Sequence, residues 1–217
     1  MPLYTAEALV LRTYKLGEAD RIVVFLTRDR GKKRGVAKGA RRQRSSFTGA
    51  LEPMTEVRVA YFEKERRELV GLNYAETYRS PLTLGNNQEA LEYVSYFAEL
   101  LDEWAQEADA DDRLYRLGAS MLDALAAGAP VEPLARYFEY WLLRLQGVYP
   151  ESRAGLSDAA AAFLAGSRMV PPHEVASLTI EPRALRELEN VHRSLITMHL
   201  EKTLKSDRVL RDLRRHA

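Results

Sequence analysis

The spacing of the apolar residues changes at Ser80 and Pro81. Before this point apolar residues occur in short runs or alternate with polar ones, which is typical of β-strands. After it they recur every three or four residues, which is typical of helices. The change predicts a two-domain α+β protein, with a β domain over residues 1–80 and an all-helical domain over residues 81–217.

The first 80 residues predict five short strands, near residues 6–13, 21–27, 32–38, 55–62 and 68–77. The block from Ile22 to Leu26 is apolar, rich in β-branched residues and too short for a helix, and Gly31 marks a hairpin after it. Because so many short strands expose their edges unless the sheet closes, we predict an N-terminal OB-fold β-barrel. A small SH3-like barrel is the structural alternative.

The remaining residues predict six helices. Asn86 and Asn87 are candidate N-caps for the first, and the acidic residues 109–112 suit the positive end of the second. The third has Pro133 in its first turn and ends at Gly147. Three more are predicted near residues 157–165, 182–199 and 207–215.

Residues 28–44, which we call the basic stretch, contain nine Lys and Arg residues and a single acid, Asp29. Glycines within the stretch let its backbone approach a ligand closely. Such a density of positive charge predicts a surface that binds a polyanion, nucleic acid above all. The side chains expected to contact DNA phosphates are Lys32, Arg34, Lys38, Arg41, Arg42 and Arg44.

Alternatives accompany this prediction. Some of the cations would instead pair with Glu52 or Glu56. Tyr14 and Phe47 are candidates for stacking on bases, although a place in the core is the commoner fate of an aromatic side chain.

The net charge differs between the two parts of the chain. Residues 1–80 contain 17 Lys and Arg against 10 Asp and Glu, a net charge of +7, and the rest contains 15 against 21, a net charge of −6. This asymmetry predicts different partners for the two domains.

The chain carries few groups for covalent or metal chemistry. It has no cysteine, and its histidines include His192 and His199, which lie about 10 Å apart along one helix, too far to share a zinc ion. A helix start explains Asp109, Asp111 and Asp112 better than Mg²⁺ binding does. We therefore predict a protein that is not an enzyme and needs no metal or cofactor. The lack of a signal-peptide pattern and of an 18-residue apolar window predicts a cytoplasmic protein.

Several motifs resemble those of the RecO family of bacterial recombination mediators. They follow the family's order and span nearly the whole chain. The most specific runs from Val36 to Arg41. The others are Ala8–Leu11, Gly17–Asp20, Arg44–Ser45, Gly49–Pro53, Arg136–Glu139, Leu142–Leu143, Gly147–Pro150 and Leu204–Leu210.

The resemblance implies an OB fold, a helical C-terminal domain and no covalent catalysis. It implies binding of single- and double-stranded DNA, strand annealing, association with RecR, and help in loading RecA onto DNA coated with single-stranded-DNA-binding protein, at the nucleoid. Many family members carry four zinc-binding cysteines after the position of Pro150. Residues 151–157 contain none, so the zinc loop is expected to be shortened or lost.

The family's helical domain takes up the C-terminal tail of single-stranded-DNA-binding protein, which is acidic and ends in an aromatic residue. Such a tail needs an apolar pocket with a basic rim. The matching positions predict Arg136 for the rim, and Tyr140 and Trp141 for the wall. A core position is the alternative for Trp141.

Two other classes of protein stay open. An RNA- or ribosome-associated OB-fold protein would share the basic stretch but would not need the RecO-like tail or the acidic helical domain. A hydrolytic enzyme is the third class, and a metal-dependent nuclease assay tests it.

Overall fold

The computed structural model describes residues 2–63, 68–150 and 155–216, with side chains up to Asp212. Its strands are β1 (Leu3–Leu16), β2 (Asp20–Thr27), β3 (Gly31–Ala37), β4 (Glu56–Phe62) and β5 (Val70–Arg79). They close into a barrel in the order β1-β2-β3-β5-β4. The pair β3–β5 is parallel and the other neighbouring pairs are antiparallel. This arrangement is that of an OB fold, as predicted.

Apolar side chains fill the barrel. Val10 of β1, Phe25 of β2 and Tyr61 of β4 are almost fully buried in its core. The connection between β3 and β4 adds Phe47 and Leu51 to the same core. Phe47 is therefore a core residue, and the hypothesis that it stacks on bases is wrong.

Within the described residues, six α-helices follow the barrel, as the apolar spacing predicts. They are α1 (Gln88–Trp104), α2 (Asp112–Ala126), α3 (Val131–Leu145), α4 (Asp158–Gly166), α5 (Pro182–Leu200) and α6 (Lys205–His216). Asn87 caps α1, because its side chain accepts the N–H of Ala90 at 3.0 Å. Pro133 is the third residue of α3, where a missing N–H breaks no helical hydrogen bond. No helix within the described ranges is long and apolar enough to cross a membrane.

A second apolar core, separate from the barrel interior, joins the outer face of the barrel to the helices. Leu9, Leu11, Val24 and Leu26, on the outer face of β1 and β2, pack with buried side chains of the helices. Gly118 of α2 permits this close approach, because a Cβ at that position would lie 2.8 Å from Leu9 Cδ1. The helices therefore cover part of the outer surface of β1 and β2, and a ligand of the barrel must bind elsewhere on it.

Candidate nucleic-acid interface

The hairpin between β2 and β3 carries the start of the basic stretch. Thr27 fixes its turn, because Thr27 Oγ1 donates to the carbonyl oxygen of Gly31 at 2.7 Å and accepts the N–H of Arg30 at 3.0 Å. Gly31 has a φ of +67°, which glycine adopts without strain. From this turn the stretch runs along β3 and leaves the barrel at the opposite end.

Acidic side chains neutralise the first half of the basic stretch. The connection between α1 and α2 lies beside the start of β3, where the N–H of Lys32 donates to the carbonyl oxygen of Gln106 at 3.0 Å. Each cation of this half has a carboxylate partner. The pairs are Arg28 with Glu7 and Asp112, Arg30 with Asp29, Lys32 with Asp102, Lys33 with Glu63, and Arg34 with Glu107.

Two of the predicted phosphate contacts lie in this neutralised half. Lys32 is only 9% exposed, and its Nζ donates to the carbonyl oxygen of Asp102 at 2.5 Å. Lys32 therefore connects the barrel to α1. The prediction that it contacts DNA at the surface is corrected accordingly. Arg34 is exposed, and its Nε lies 3.1 Å from Glu107 Oε1. A surface pair of this kind is worth about 0–1 kcal/mol, so a phosphate can compete for Arg34.

The second half of the basic stretch is open to solvent. After β3 the chain folds back on the β1–β2 turn, where the N–H of Gly39 donates to Asp20 Oδ1 at 2.7 Å. The four cations of this half are exposed, and none of them forms an ion pair within the part of the chain that the structure describes. We call them the open basic cluster: Lys38, Arg41, Arg42 and Arg44. Four of the six predicted phosphate contacts therefore share one anchored loop.

Further contacts hold this loop against the barrel. The N–H of Arg41 donates to the carbonyl oxygen of Ala19, and its guanidinium donates to that of Gly17, both at 2.9 Å. Lys15 and Arg21 lie opposite each other at the neighbouring ends of β1 and β2 and add positive charge beside the cluster. The loop can therefore present its cations without first being ordered by a ligand.

Arg136, the predicted rim of a peptide pocket, lies inside the helical part. It is only 4% exposed, and its NH2 donates to Glu139 Oε1 at 2.8 Å. It forms part of the floor of a groove of about 220 Å³ between α3 and α5, whose other lining residues include Arg186 and Glu189. The prediction of Arg136 as a rim residue is corrected accordingly, because its charge is buried and already paired.

Glu139 is the centre of a buried polar network that the sequence did not predict. Its carboxylate accepts the hydroxyl of Tyr96 at 2.7 Å and contacts His192 Nδ1 at 2.9 Å. Burial acts to raise the pKa of Glu139, but the charge of Arg136 and the bond to His192 outweigh it, so this pKa lies below its ordinary value. Burial also lowers the pKa of His192. A neutral His192 that donates to an ionised Glu139 fits both shifts.

The two aromatic residues of the predicted pocket contribute to packing. Tyr140 is 4% exposed and makes an edge-on contact with Tyr149 at 4.9 Å between ring centroids. Trp141 is half-buried and donates its Nε1–H to the carbonyl oxygen of Ser167 at 3.0 Å. Neither lines the groove that contains Arg136. Trp141 therefore packs against the edge of the helical core and stays partly exposed, and its role in a peptide pocket stays a prediction.

The described residues contain no group of three or more His, Asp or Glu side chains that could hold a metal ion. Asp111 caps α2, because its Oδ1 accepts the N–H of Arg113 at 3.0 Å and that of Leu114 at 3.1 Å. This bears out the interpretation of the acidic residues as a helix start. The predicted loss of the zinc loop concerns residues 151–157, of which 151–154 lie outside the described residues.

Zinc removal is expected to leave the fold unchanged. A structural zinc site takes four Cys or His ligands, and this chain has no cysteine. We expect the melting temperature of the purified, tag-free protein to be the same with and without chelator. Stoichiometric zinc in an elemental analysis, lost together with stability on chelation, would contradict this prediction.

The chain matches two family models in tandem. The one described as "Recombination protein O N terminal" matches residues 1–81, and the one described as "Recombination protein O C terminal" matches residues 86–155. The first ends just after β5, and the second begins just before α1.

Curated relatives agree with these matches. The chain is 40% identical over 149 residues to "DNA repair protein RecO" of Koribacter versatilis, covering 69% of this chain and 61% of that protein. It is 37% identical over 142 residues to the protein of the same name in Anaeromyxobacter sp. (strain K), covering 65% and 56%. It thus spans about three fifths of these two relatives. A third, from Nocardioides sp., is 34% identical over an alignment of 244 positions that covers 94% of this chain and 97% of the relative. The barrel, the helices and these likenesses together establish that the chain belongs to the RecO family.

Proposed function

We propose that this protein is a DNA repair and recombination mediator that binds single- and double-stranded DNA through the open basic cluster. The observation that carries the proposal is a set of exposed cations with no described carboxylate partner, held on a loop that is anchored to an OB-fold barrel. Arg34 would join the contact by exchanging Glu107 for a phosphate. The protein acts by binding and not by covalent catalysis.

Charge explains how such a surface would promote annealing. Lys and Arg side chains neutralise phosphates and release counterions, which gives an affinity that depends little on sequence and falls steeply with salt. Two strands held on the same cationic surface repel each other less than they do in solution. Complementary strands would therefore meet and pair more often on the protein than without it.

Family membership supports the proposed partners. These are RecR, the tail of single-stranded-DNA-binding protein and, indirectly, RecA, on DNA at the nucleoid. The tail is anionic, so it would need its own cation within the acidic helical part. We assign the role of this cation to Arg186, which is exposed and lines the groove that contains Arg136.

Replacing Arg186 with alanine is expected to weaken binding of a labelled acidic tail peptide by about 1–2 kcal/mol, because one charge-assisted hydrogen bond is lost. DNA affinity should stay the same. Arg183→Ala is the matched control, since Arg183 is exposed on the same helix and does not line the groove. Equal peptide affinity for both variants and for the parent protein would remove the groove from the proposal.

The experiment that tests the function is a strand-annealing assay. We expect the protein to accelerate annealing of complementary strands, both bare and coated with single-stranded-DNA-binding protein. Comparing the affinities for single-stranded DNA and for structured RNA at the same salt concentration distinguishes the proposed function from that of an RNA-associated protein. No acceleration of annealing, together with tighter binding to structured RNA, would contradict the proposed function.

A further inference from the structure

A row of four residues crosses the outer surface of the barrel from β1 to β5. Tyr14 lies opposite Ile22, Ile22 opposite Val36, and Val36 opposite Gly71. The neighbouring residues along the strands, such as Val23, belong to the barrel core, so the row faces outwards. We call these four residues the Tyr14 row.

The helices leave this row uncovered. Tyr14 is 46% exposed, and Ile22 and Val36 are half-buried. At Gly71 a Cβ would meet nothing within 4 Å, so this end of the row is low and open. An aromatic ring, two β-branched side chains and a glycine thus form a small apolar strip that a ligand of the barrel can reach.

Cations lie beside the Tyr14 end of the strip and beyond Val36. Arg12 NH1 donates to the hydroxyl of Tyr14 at 3.3 Å and holds one edge of the ring. The same guanidinium lies 3.3 Å from Asp102 Oδ2, so it positions the ring and adds no free charge. Lys38 of the open basic cluster lies two residues beyond Val36, and Arg41 contacts the turn that follows Tyr14. The acids of this turn are Glu18, which is exposed, and Asp20, which has one oxygen bonded to the N–H of Gly39. A polyanion bound by the cluster therefore passes beside an apolar surface.

We propose that the Tyr14 row is a stacking platform for an unpaired base, and that it makes this protein prefer single strands over duplex. This proposal rests on the proposed function, since the cluster supplies the phosphate contacts. Base stacking on an aromatic side chain tolerates any sequence, because every base has a π-face. A duplex keeps its bases paired inside and offers the row only its backbone. The cluster thus binds both forms of DNA, and the row binds only one of them.

The test compares Tyr14→Ala and Tyr14→Phe on a single-stranded oligonucleotide and on a duplex of the same length. Tyr78→Ala is the matched control, because Tyr78 is 44% exposed but lies on β5 beneath Arg58. We expect Tyr14→Ala to weaken single-strand binding by about 5- to 150-fold, the range of one lost stacking contact. Duplex binding should change by less than about twofold, because phosphate contacts are kept. Tyr14→Phe and Tyr78→Ala should both bind like the parent protein.

The salt dependence gives a second readout. Tyr14→Ala removes no charge, so the slope of log affinity against log salt should stay the same although the affinity falls. Equal losses on single strands and duplex, or no loss on either, would overturn the platform. If DNA binding falls when the open basic cluster is removed but not in Tyr14→Ala, the stacking platform is overturned and the proposed function stands. A parent protein that binds neither form of DNA would overturn the proposed function as well.

Discussion

Replacing Glu139 with alanine is expected to lower the free energy of unfolding by about 3–5 kcal/mol, the usual cost of removing one member of a buried ion pair. The substitution would leave the guanidinium of Arg136 buried without its closest counter-charge, and it would remove the acceptor for Tyr96 and the partner of His192. This loss is a large fraction of the stability of an ordinary domain. Urea unfolding followed by circular dichroism measures it.

An exposed glutamate provides the control for this experiment. Glu174 is exposed, and its carboxylate lies 3.6 Å from Nε2 of the exposed His173. We expect Glu174→Ala to change the free energy of unfolding by less than about 0.5 kcal/mol. A loss below about 1 kcal/mol for Glu139→Ala would contradict the description of this network as a major source of stability.

The same network predicts how stability depends on pH. The pKa of Glu139 is lower in the folded state than its ordinary value. The stability that the ionised carboxylate contributes is therefore fully present above the ordinary pKa and is lost as the pH falls through the acid range. The pKa of His192 is also lowered in the folded state, so as the pH falls the unfolded chain binds a proton at this residue before the folded protein does. Stability should therefore begin to fall below about pH 6.5, where an unperturbed histidine titrates, and fall further below about pH 4.5. In Glu139→Ala the lower step should be smaller.

The sequence predicted those parts of the structure that depend on local pattern. Period-2 alternation and the glycine turns located five strands within two or three residues, and the apolar spacing located six helices. The open basic cluster was also visible, because its four cations lie within seven consecutive residues. These patterns involve only residues that are close together in the sequence, so they can be interpreted without knowledge of the fold.

Contacts between distant residues could not be predicted. Lys32 and Asp102 are 70 positions apart, and only the packing of α1 on the barrel brings them together. Glu139 and His192 are 53 positions apart and meet in the same way. The acids that neutralise half of the basic stretch come from several elements, so the local charge count overstated the binding surface.

A backbone irregularity hid the Tyr14 row. Val10 belongs to the barrel core, and strict alternation would place Tyr14 on the same side of β1. The register shifts between Val10 and Arg12, and such a bulge turns the later residues to the other face. The outward position of Tyr14 therefore follows from the pairing of β1 with β2, which the alternation of residue types does not encode.

Removing three cations of the open basic cluster should have the largest effect on DNA binding. Because each phosphate contact contributes slightly less than one unit of salt slope, we expect Arg41, Arg42 and Arg44 changed together to alanine to reduce the slope by about 2–3 units. The same rule gives a loss of affinity of about 10²–10³-fold at 0.1 M salt. The loss should be similar for all DNA sequences. Since these side chains are exposed, the melting temperature should stay close to that of the parent protein.

A variant with the same change in net charge tests whether position matters. Arg113, Arg116 and Arg168 are exposed on the helical part, and their replacement by alanine removes three charges far along the chain from the cluster. We expect this control to change the slope by less than about one unit, because no phosphate contact is lost. Equal effects of the two triple variants would mean that overall charge, and not the cluster, determines binding.

Whether the open basic cluster binds DNA is decided by the slope of log affinity against log salt concentration, measured for the parent protein and for the variant with Arg41, Arg42 and Arg44 replaced. If the open basic cluster binds DNA through phosphates, the variant has a slope about 2–3 units shallower on duplex and on single strands. An unchanged slope would contradict the assignment of this cluster as the DNA-binding site.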